Sequence, residues 1–376
     1  MGLRVVCEQR RISAPHAVRV VDDETHRMTG LVEMQADALA ETDFYLPSMT
    51  LEDYLRDAVP AHPVLKAAVD FGRPGADKAL RALAATTTEF DSDDTGRGDS
   101  YRRAQRNSSV RWRGIRQLLE LAAPSDAAAP HIVLDVLGGD GTIARAVHEH
   151  APDLRDRVSI LTGDLSGDMV ERALAQGLPA VRQAADHLFL GDRTVDAALL
   201  AYGTHHIAPQ DRLNAVTEAL RVVRDGGRVV LHDFDDASPM ARFFTDVVHP
   251  HTTAGHDYRH FSRGSLVELF EEAGTPARVV DLYDPLVVRG DTEEDARRRM
   301  CEYVADMYGV GEYFAAQGGT DARWRILERY FGHEGYLAGL PAEVDFTPRP
   351  VVYRSRGAYV AEVPRAAMVA VARKTA

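Results

Sequence analysis

The sequence predicts a doubly wound α/β fold, a mostly parallel sheet of seven strands with helices on both faces, joined to an N-terminal helical cap and a late insertion. Three observations predict it. From His131 onward, short apolar runs alternate with segments of helical periodicity, the pattern of repeated strand, crossover and strand. The first run closes in "LDVLGGDGT" at 134–142, where an acid ends the apolar residues and glycines follow. A last run, "AMVAVARK" at 367–374, resumes after a long interruption and reads as a strand returning to the sheet.

Taken in order, the first thirty or so residues mix charges and β-branched residues without a sustained period, so they are either a short arm or disordered. "LVEMQADALAETDF", "TLEDYLRDAV", "HPVLKAAVDFG" and "ADKALRALAATTTEF" then place apolar residues three and four apart between Pro, Ser and Gly breaks, which predicts helices. A polar stretch, "DSDDTGRGDS" at 91–100, precedes a helix at about 101–122 and the linker "APSDAAAP". The main boundary falls there: residues 1–126 form an arm and a helical cap or oligomerisation region, and 127–376 the α/β domain. Its strands are expected at 131–136, 157–162, 179–183, 195–201, 227–233 and 277–283, with helices at about 142–150, 168–176, 210–223 and 263–273. Residues 286–365 interrupt the pattern with helices, such as "TEEDARRRMCEYVADMY" and "DARWRILERYF", and a Pro- and Arg-bearing extended part. In such a fold the ligand sits at the carboxyl ends of the strands, where the strand order switches.

Composition narrows the function. Lys and Arg number 44 against 57 Asp and Glu, a formal charge of −13, so nucleic acid is not an expected partner. The arginine clusters "RWRG" at 111–114 and Arg297 to Arg299 read as solvated helix faces. Two cysteines, Cys7 and Cys301, cannot build a disulfide framework, and no secretory or membrane-spanning run is legible. A cytoplasmic protein without membrane partners is expected.

The glycine loop admits three readings. A P-loop requires Lys and then Ser or Thr after its last glycine, whereas Thr142 and Ile143 follow Gly141. A dinucleotide fingerprint from Gly139 and Gly141 puts its third position on Ala144, which the looser pattern accepts. The third reading is a loop for S-adenosylmethionine (SAM). "VSILTGDLSGDMVERA" supplies a second strand ending in Asp164, "RTVDAALLAYGTHHI" a fourth, "EALRVVRDGGRVVLHDF" a helix, a Gly-Gly turn and a fifth, and "DYRHFSRGSLVELFEEAG" the helix before a sixth. This succession resembles the class I SAM-dependent methyltransferases over about 131–283 plus the last strand.

The resemblance implies that Asp135, Gly138, Gly139 and Gly141 lie at the methionine end of SAM. It implies that Asp164 holds the ribose, with Leu165 beside the adenine. The adenine amine falls to Asp186, although the spacing also allows Ala184 at that place. Leu137 stands where the family usually has glycine, a change that either shifts the loop slightly or alters the pose of the cofactor.

Methyl transfer needs a nucleophile aligned about 3 Å from the methyl carbon and, for an acidic acceptor, a base near neutral pKa. Tyr202, His205, His206 and His232 at the carboxyl ends of the fourth and fifth strands are the catalytic candidates. Trp112, Arg113, Asp233 and His260 are the substrate-contacting ones. The histidines of "HPHTTAGHDYRHF" match no metal-site spacing, so the reading assigns no metal. Tyr303, Tyr308, Tyr313, Trp324, Tyr330 and Tyr336 are either core or pocket residues. The expected activity is SAM-dependent methylation of a small-molecule acceptor, in secondary metabolism, by a chain that forms a homodimer. Two alternatives stand: reaction at the γ-carbon of SAM (aminocarboxypropyl transfer, or cyclisation to azetidine-2-carboxylate with release of methylthioadenosine), and SAM binding without catalysis.

Overall fold

The computed structural model describes residues 45–91, 97–123, 130–340 and 346–375, and those from 45 onward belong to one compact unit. The expected arm, the helix at 31–44, Cys7, residues 92–96 of the polar stretch and nearly all of the linker lie outside the described residues. The apolar runs become β1 (His131–Asp135), β2 (Val158–Asp164), β3 (Ala180–Arg182), β4 (Val195–Leu200), β5 (Val223–Asp233), β6 (Ala277–Tyr283) and, after the insertion, β10 (Ala366–Arg373). They are near-continuously apolar because helices cover both faces of the sheet.

The order is β3-β2-β1-β4-β5-β10-β6. β1 pairs in parallel with β2 on one side and β4 on the other, so the order reverses between β1 and β4 and opens a crevice at their carboxyl ends. β10 runs antiparallel to both β5 and β6. One element starts earlier than expected. β5 begins at Val223 and absorbs the Gly226–Gly227 turn, the register slipping between Val195 and Ala197. Gly227 has no room for a side chain, since a Cβ there would lie 2.4 Å from the Asp196 carbonyl oxygen.

The insertion is a second structural layer. β7 (Leu286–Gly290), β8 (Val351–Ser355) and β9 (Ala358–Val363) form an antiparallel sheet in the order β7-β9-β8. The expected extended part is thus a hairpin, turning at Arg356 and Gly357, both with positive φ. Thr292 caps the helix Glu293–Tyr308, whose first turn carries Glu293, Glu294 and Asp295 against the positive end of its dipole. Its inner face packs Met300, Val304, Met307 and Tyr308 with Phe243, Trp324, Leu327, Tyr330 and Phe331. Tyr303, Tyr308, Trp324 and Tyr330 are therefore core residues of this layer.

The helical cap docks on the β3 edge of the main sheet. Tyr45 and Tyr54 donate their hydroxyls to the carbonyls of Arg182 and Ala180 at 2.6 and 2.8 Å. The buried Arg182 guanidinium in turn donates to the carbonyls of Tyr45 and Leu83, each at 2.9 Å. Phe71 stacks on Phe189 at 4.7 Å and completes the seam. This fixes the segment after the helix Ala76–Ala85 over the carboxyl ends of β2 and β3. Among the described residues, no helix is long and apolar enough to cross a membrane.

Candidate active site

β1 delivers the chain to the glycine loop at the switch point. Gly139 has φ 58°, and a Cβ there would point into open space. Gly141 has φ 85° at the start of the helix Thr142–His150, and a Cβ on it would meet Leu178 at 2.4 Å. Positive φ selects glycine at both positions. The loop is tied to the end of β2: the Gly139 N–H donates to one oxygen of Asp164 at 2.7 Å and the Ser166 N–H to the other at 2.9 Å. Each carboxylate oxygen keeps a further lone pair.

A cavity of about 460 Å³ opens on this carboxylate. Leu137, Gly139, Asp164, Leu165, Asp186, Tyr202 and His206 all line it, and Glu89, Phe90 and Tyr101 reach it from the cap. Burial, reinforced by Asp91 and Asp140, pushes the Asp164 carboxyl up to about 6, although the two backbone N–H groups oppose that rise. Asp135 is pushed up to about 8, again by burial first and then by Asp164. Gln183 also lines the cavity; its side-chain carbonyl accepts the Phe189 N–H at 2.9 Å while its buried Nε2 has no partner among the described residues.

These features fit the adenosyl group of SAM. A carboxylate with spare lone pairs suits a ribose diol, and the open space over Gly139 admits the methionine portion. The other three residues expected at the cofactor lie behind the cavity wall. Asp135 is 2 % exposed beneath the loop, a Cβ on Gly138 would touch its carboxylate at 2.9 Å, and Gly141 faces Leu178.

Of the candidate catalytic residues, Tyr202 and His206 reach the cavity. Tyr202 sits just past β4 with φ 60°, a left-handed conformation rare outside glycine and common at functional sites. Its hydroxyl donates to Asp284 at 3.3 Å, and Arg111 lies 4.7 Å over its ring. His206 has its Nδ1 3.6 Å from the Glu89 carboxylate and its ring 4.2 Å from that of Tyr258. Burial, then the neighbouring His205, holds its pKa well below the ordinary histidine value, so the ring is neutral.

His205 and His232 do not line the cavity. His232 is fully buried beside Tyr202, and neither ring nitrogen has a hydrogen-bond partner among the described residues. His205 and His260 both set Nδ1 against Asp233, at 3.0 and 3.2 Å. Trp112 and Arg113 line a different groove with Tyr303, Tyr353 and Glu362, where Arg113 is 3.5 Å from Glu362. Glu89, Phe90, Tyr101 and Gln183 escaped the sequence reading. Nothing in "TTTEF", "YRRAQ" or "RQAADHLF" marks them, because only the docking of the cap brings these segments together.

Comparison with known proteins gives a family model described as a methyltransferase domain, matching residues 133–227. The ubiquinone/menaquinone biosynthesis C-methyltransferase UbiE of Bartonella tribocorum is 31 % identical over 142 residues, 36 % of this chain and 49 % of that protein. The UbiE protein of Brucella anthropi is 32 % identical over 111 residues, 27 % of this chain and 40 % of that protein. The demethylmenaquinone methyltransferase of Thermobifida fusca is 32 % identical over 119 residues, 30 % and 47 % respectively. The chain thus spans less than half the length of these curated relatives. Among solved structures, the YcgJ protein of Bacillus subtilis aligns with TM-score 0.42 and 18 % identity, covering 70 % of this chain and 98 % of that one.

Proposed function

We propose, from the premise that this chain carries a class I, Rossmann-like SAM-dependent methyltransferase domain, that it methylates a small-molecule acceptor bound beneath the helical cap. The observation that carries the reading is the Asp164 carboxylate, fixed by Gly139 and Ser166 in a cavity that Glu89, Phe90 and Tyr101 of the cap also line. When bound, SAM supplies an electrophilic methyl carbon on a sulfonium.

The chain's own residues then divide the work. Asp164 accepts both ribose hydroxyls, and Leu165 and Met169 offer apolar surface to the adenine. Asp186 offers its edge an acceptor. The cap residues exclude water, which strengthens every charge interaction inside. Neutral His206 orients an acceptor hydroxyl or amine by accepting a hydrogen bond at its unprotonated ring nitrogen, with Nδ1 towards Glu89; burial makes it too weak a base to keep the proton. The Tyr202 phenol, kept protonated by burial and then by Asp284, commits its one O–H to that carboxylate and so fixes the cavity wall. We place the activity in secondary metabolism and the protein in the cytoplasm.

A second reading has one specific support. Leu137 lines the cavity where the family usually has glycine, and bulk there bears on which carbon of the cofactor is aligned for attack. Product analysis separates the two. With SAM alone, the proposal expects SAM to survive, and S-adenosylhomocysteine to form only after phenol, 2-oxo acid or amine acceptors are added. Methylthioadenosine released from SAM alone, and lost in Asp164→Ala, would establish the γ-carbon reaction instead.

The pKa of Asp164 sets a pH profile. Its ionised form is the better acceptor for ribose hydroxyls, so SAM affinity is expected to fall as pH drops through about 6 and to be restored above it. Calorimetry across that range should show the limb in the wild type and in Asp135→Asn, and no such limb in Asp164→Asn. A limb that persists in Asp164→Asn would assign the titration elsewhere.

A further inference from the structure

Behind the cavity wall three buried histidines converge that no sequence spacing connects: His205 follows β4, while His256 and His260 follow β5. One ring nitrogen from each lies within 4.8 Å of the others. The residues are 6 %, 5 % and 8 % exposed, which removes them from water without supplying full replacement partners. Neither nitrogen of His256 has a hydrogen-bond partner among the described residues, and neither has Nε2 of His260. Orphaned buried donors and acceptors cost about 1–3 kcal/mol each, so such a cluster calls for an explanation.

Asp233 sets the chemistry of two of the rings. Its carboxylate accepts the Phe234 N–H at 2.6 Å and the Thr204 hydroxyl, and lies 3.0 and 3.2 Å from Nδ1 of His205 and His260. An ionised carboxylate only accepts, so both imidazoles donate from Nδ1 and carry their lone pair on Nε2. A carboxylate orienting a histidine through the nitrogen opposite the ligating one is the usual support of metal-bound imidazole. The surrounding loops are held in place: Arg212 donates to the carbonyl of Ile207 at 3.0 Å and to that of Arg259, and lies 4.0 Å over the Phe261 ring. His249 Nδ1 accepts the His256 N–H at 2.9 Å.

We propose that His205, His256 and His260 form a binding site for one divalent transition-metal ion of the zinc and iron(II) class, with Asp233 as the positioning residue. Three neutral imidazoles suit such borderline ions and leave calcium and magnesium, which take oxygen ligands, disfavoured. Tetrahedral coordination with metal–nitrogen bonds of about 2.0–2.1 Å sets donors about 3.4 Å apart, close to the spacing within 4.8 Å that one nitrogen of each ring already has. Phe244 stacks on His256 at 4.3 Å and on His260 at 5.1 Å and covers one side. On another side lie His206 and Tyr258, which line the cavity. Three protein donors leave a coordination position for water or an acceptor oxygen on that side. This last point rests on the methyltransferase reading; the metal site does not.

Titration of chelator-treated full-length protein with Co²⁺, followed by visible absorption and by competition with Zn²⁺, tests the site without any turnover. One Co²⁺ per chain, displaced by Zn²⁺, is expected, with affinity lowered at least tenfold in His256→Gln and in His260→Gln and unchanged in His148→Gln, an exposed histidine elsewhere. Asp233→Asn should weaken binding about 10–100-fold while leaving the three ligands in place. Circular dichroism confirms that each variant is folded. A folded wild-type chain giving no Co²⁺ spectrum, or equal affinity in both histidine variants and the wild type, overturns the proposal. SAM affinity, measured in parallel by calorimetry, reports separately on the cofactor cavity.

Discussion

Asp164→Ala is expected to lower SAM affinity about 100-fold. The carboxylate offers a ribose diol two charge-assisted hydrogen bonds, each worth about 1.5 kcal/mol or more, and a loss of about 3 kcal/mol is a hundredfold in Kd. The substitution also frees the Gly139 and Ser166 N–H groups, which now fix the loop to the end of β2. Asp164→Asn should fall between the two, since its carbonyl still accepts while its amide repels one donor. Calorimetry at neutral pH measures both. An Asp164→Ala variant that binds SAM within threefold of the wild type would remove this residue from the site.

The largest effect on stability is expected from Arg365→Ala. Arg365 is 2 % exposed and Asp284 is 0 % exposed; the guanidinium pairs with that carboxylate and donates to its backbone carbonyl at 2.9 Å. Removing one partner of a buried pair strands the other charge, at a cost of about 3–5 kcal/mol. There is no slack to absorb it: a Cβ on Gly114 would already overlap the Asp284 carboxylate, at 1.7 Å. Because Asp284 also accepts the Tyr202 hydroxyl, the same variant should disturb the cavity wall. Urea unfolding followed by circular dichroism should show a clearly lowered midpoint with little change in slope. A midpoint indistinguishable from the wild type would mean that the pair contributes nothing net.

Much of the α/β domain was legible because its strands are apolar runs set between Gly, Asp and Pro, and because "LDVLGGDGT" and "TGD" carry backbone requirements that few other residues meet. Asp164 could be found from its place at the end of β2. The pairing of β7, β8 and β9 could not, since "VVYRSRGAYV" shows extended character without showing its partner. The cap side of the cavity was equally hidden: Glu89 and Phe90 acquire their position as Tyr45 and Tyr54 dock on β3 and Arg182 of that strand holds Tyr45, contacts of long sequence separation. For the same reason Trp112 and Arg113, placed at the substrate by their composition, lie in a different groove. The histidine cluster had the right residue types, but a helix and the whole of β5 lie between His205 and its neighbours, so only the fold brings them together.

The two acids at the switch point show how this site trades stability for binding. Carboxyls whose folded pKa values are raised favour the folded state at acid pH, and that contribution is lost as pH rises through about 6 for Asp164 and about 8 for Asp135. The empty site is thus held at a disadvantage near neutrality. A cationic ligand beside these acids would relieve it.

Whether the Asp164 cavity holds the adenosyl group is decided by a crystal structure of the protein with S-adenosylhomocysteine. Both ribose hydroxyls are expected within hydrogen-bonding distance of the Asp164 carboxylate, with adenine against Leu165. Nucleoside density elsewhere, or a ribose that does not touch Asp164, would contradict it.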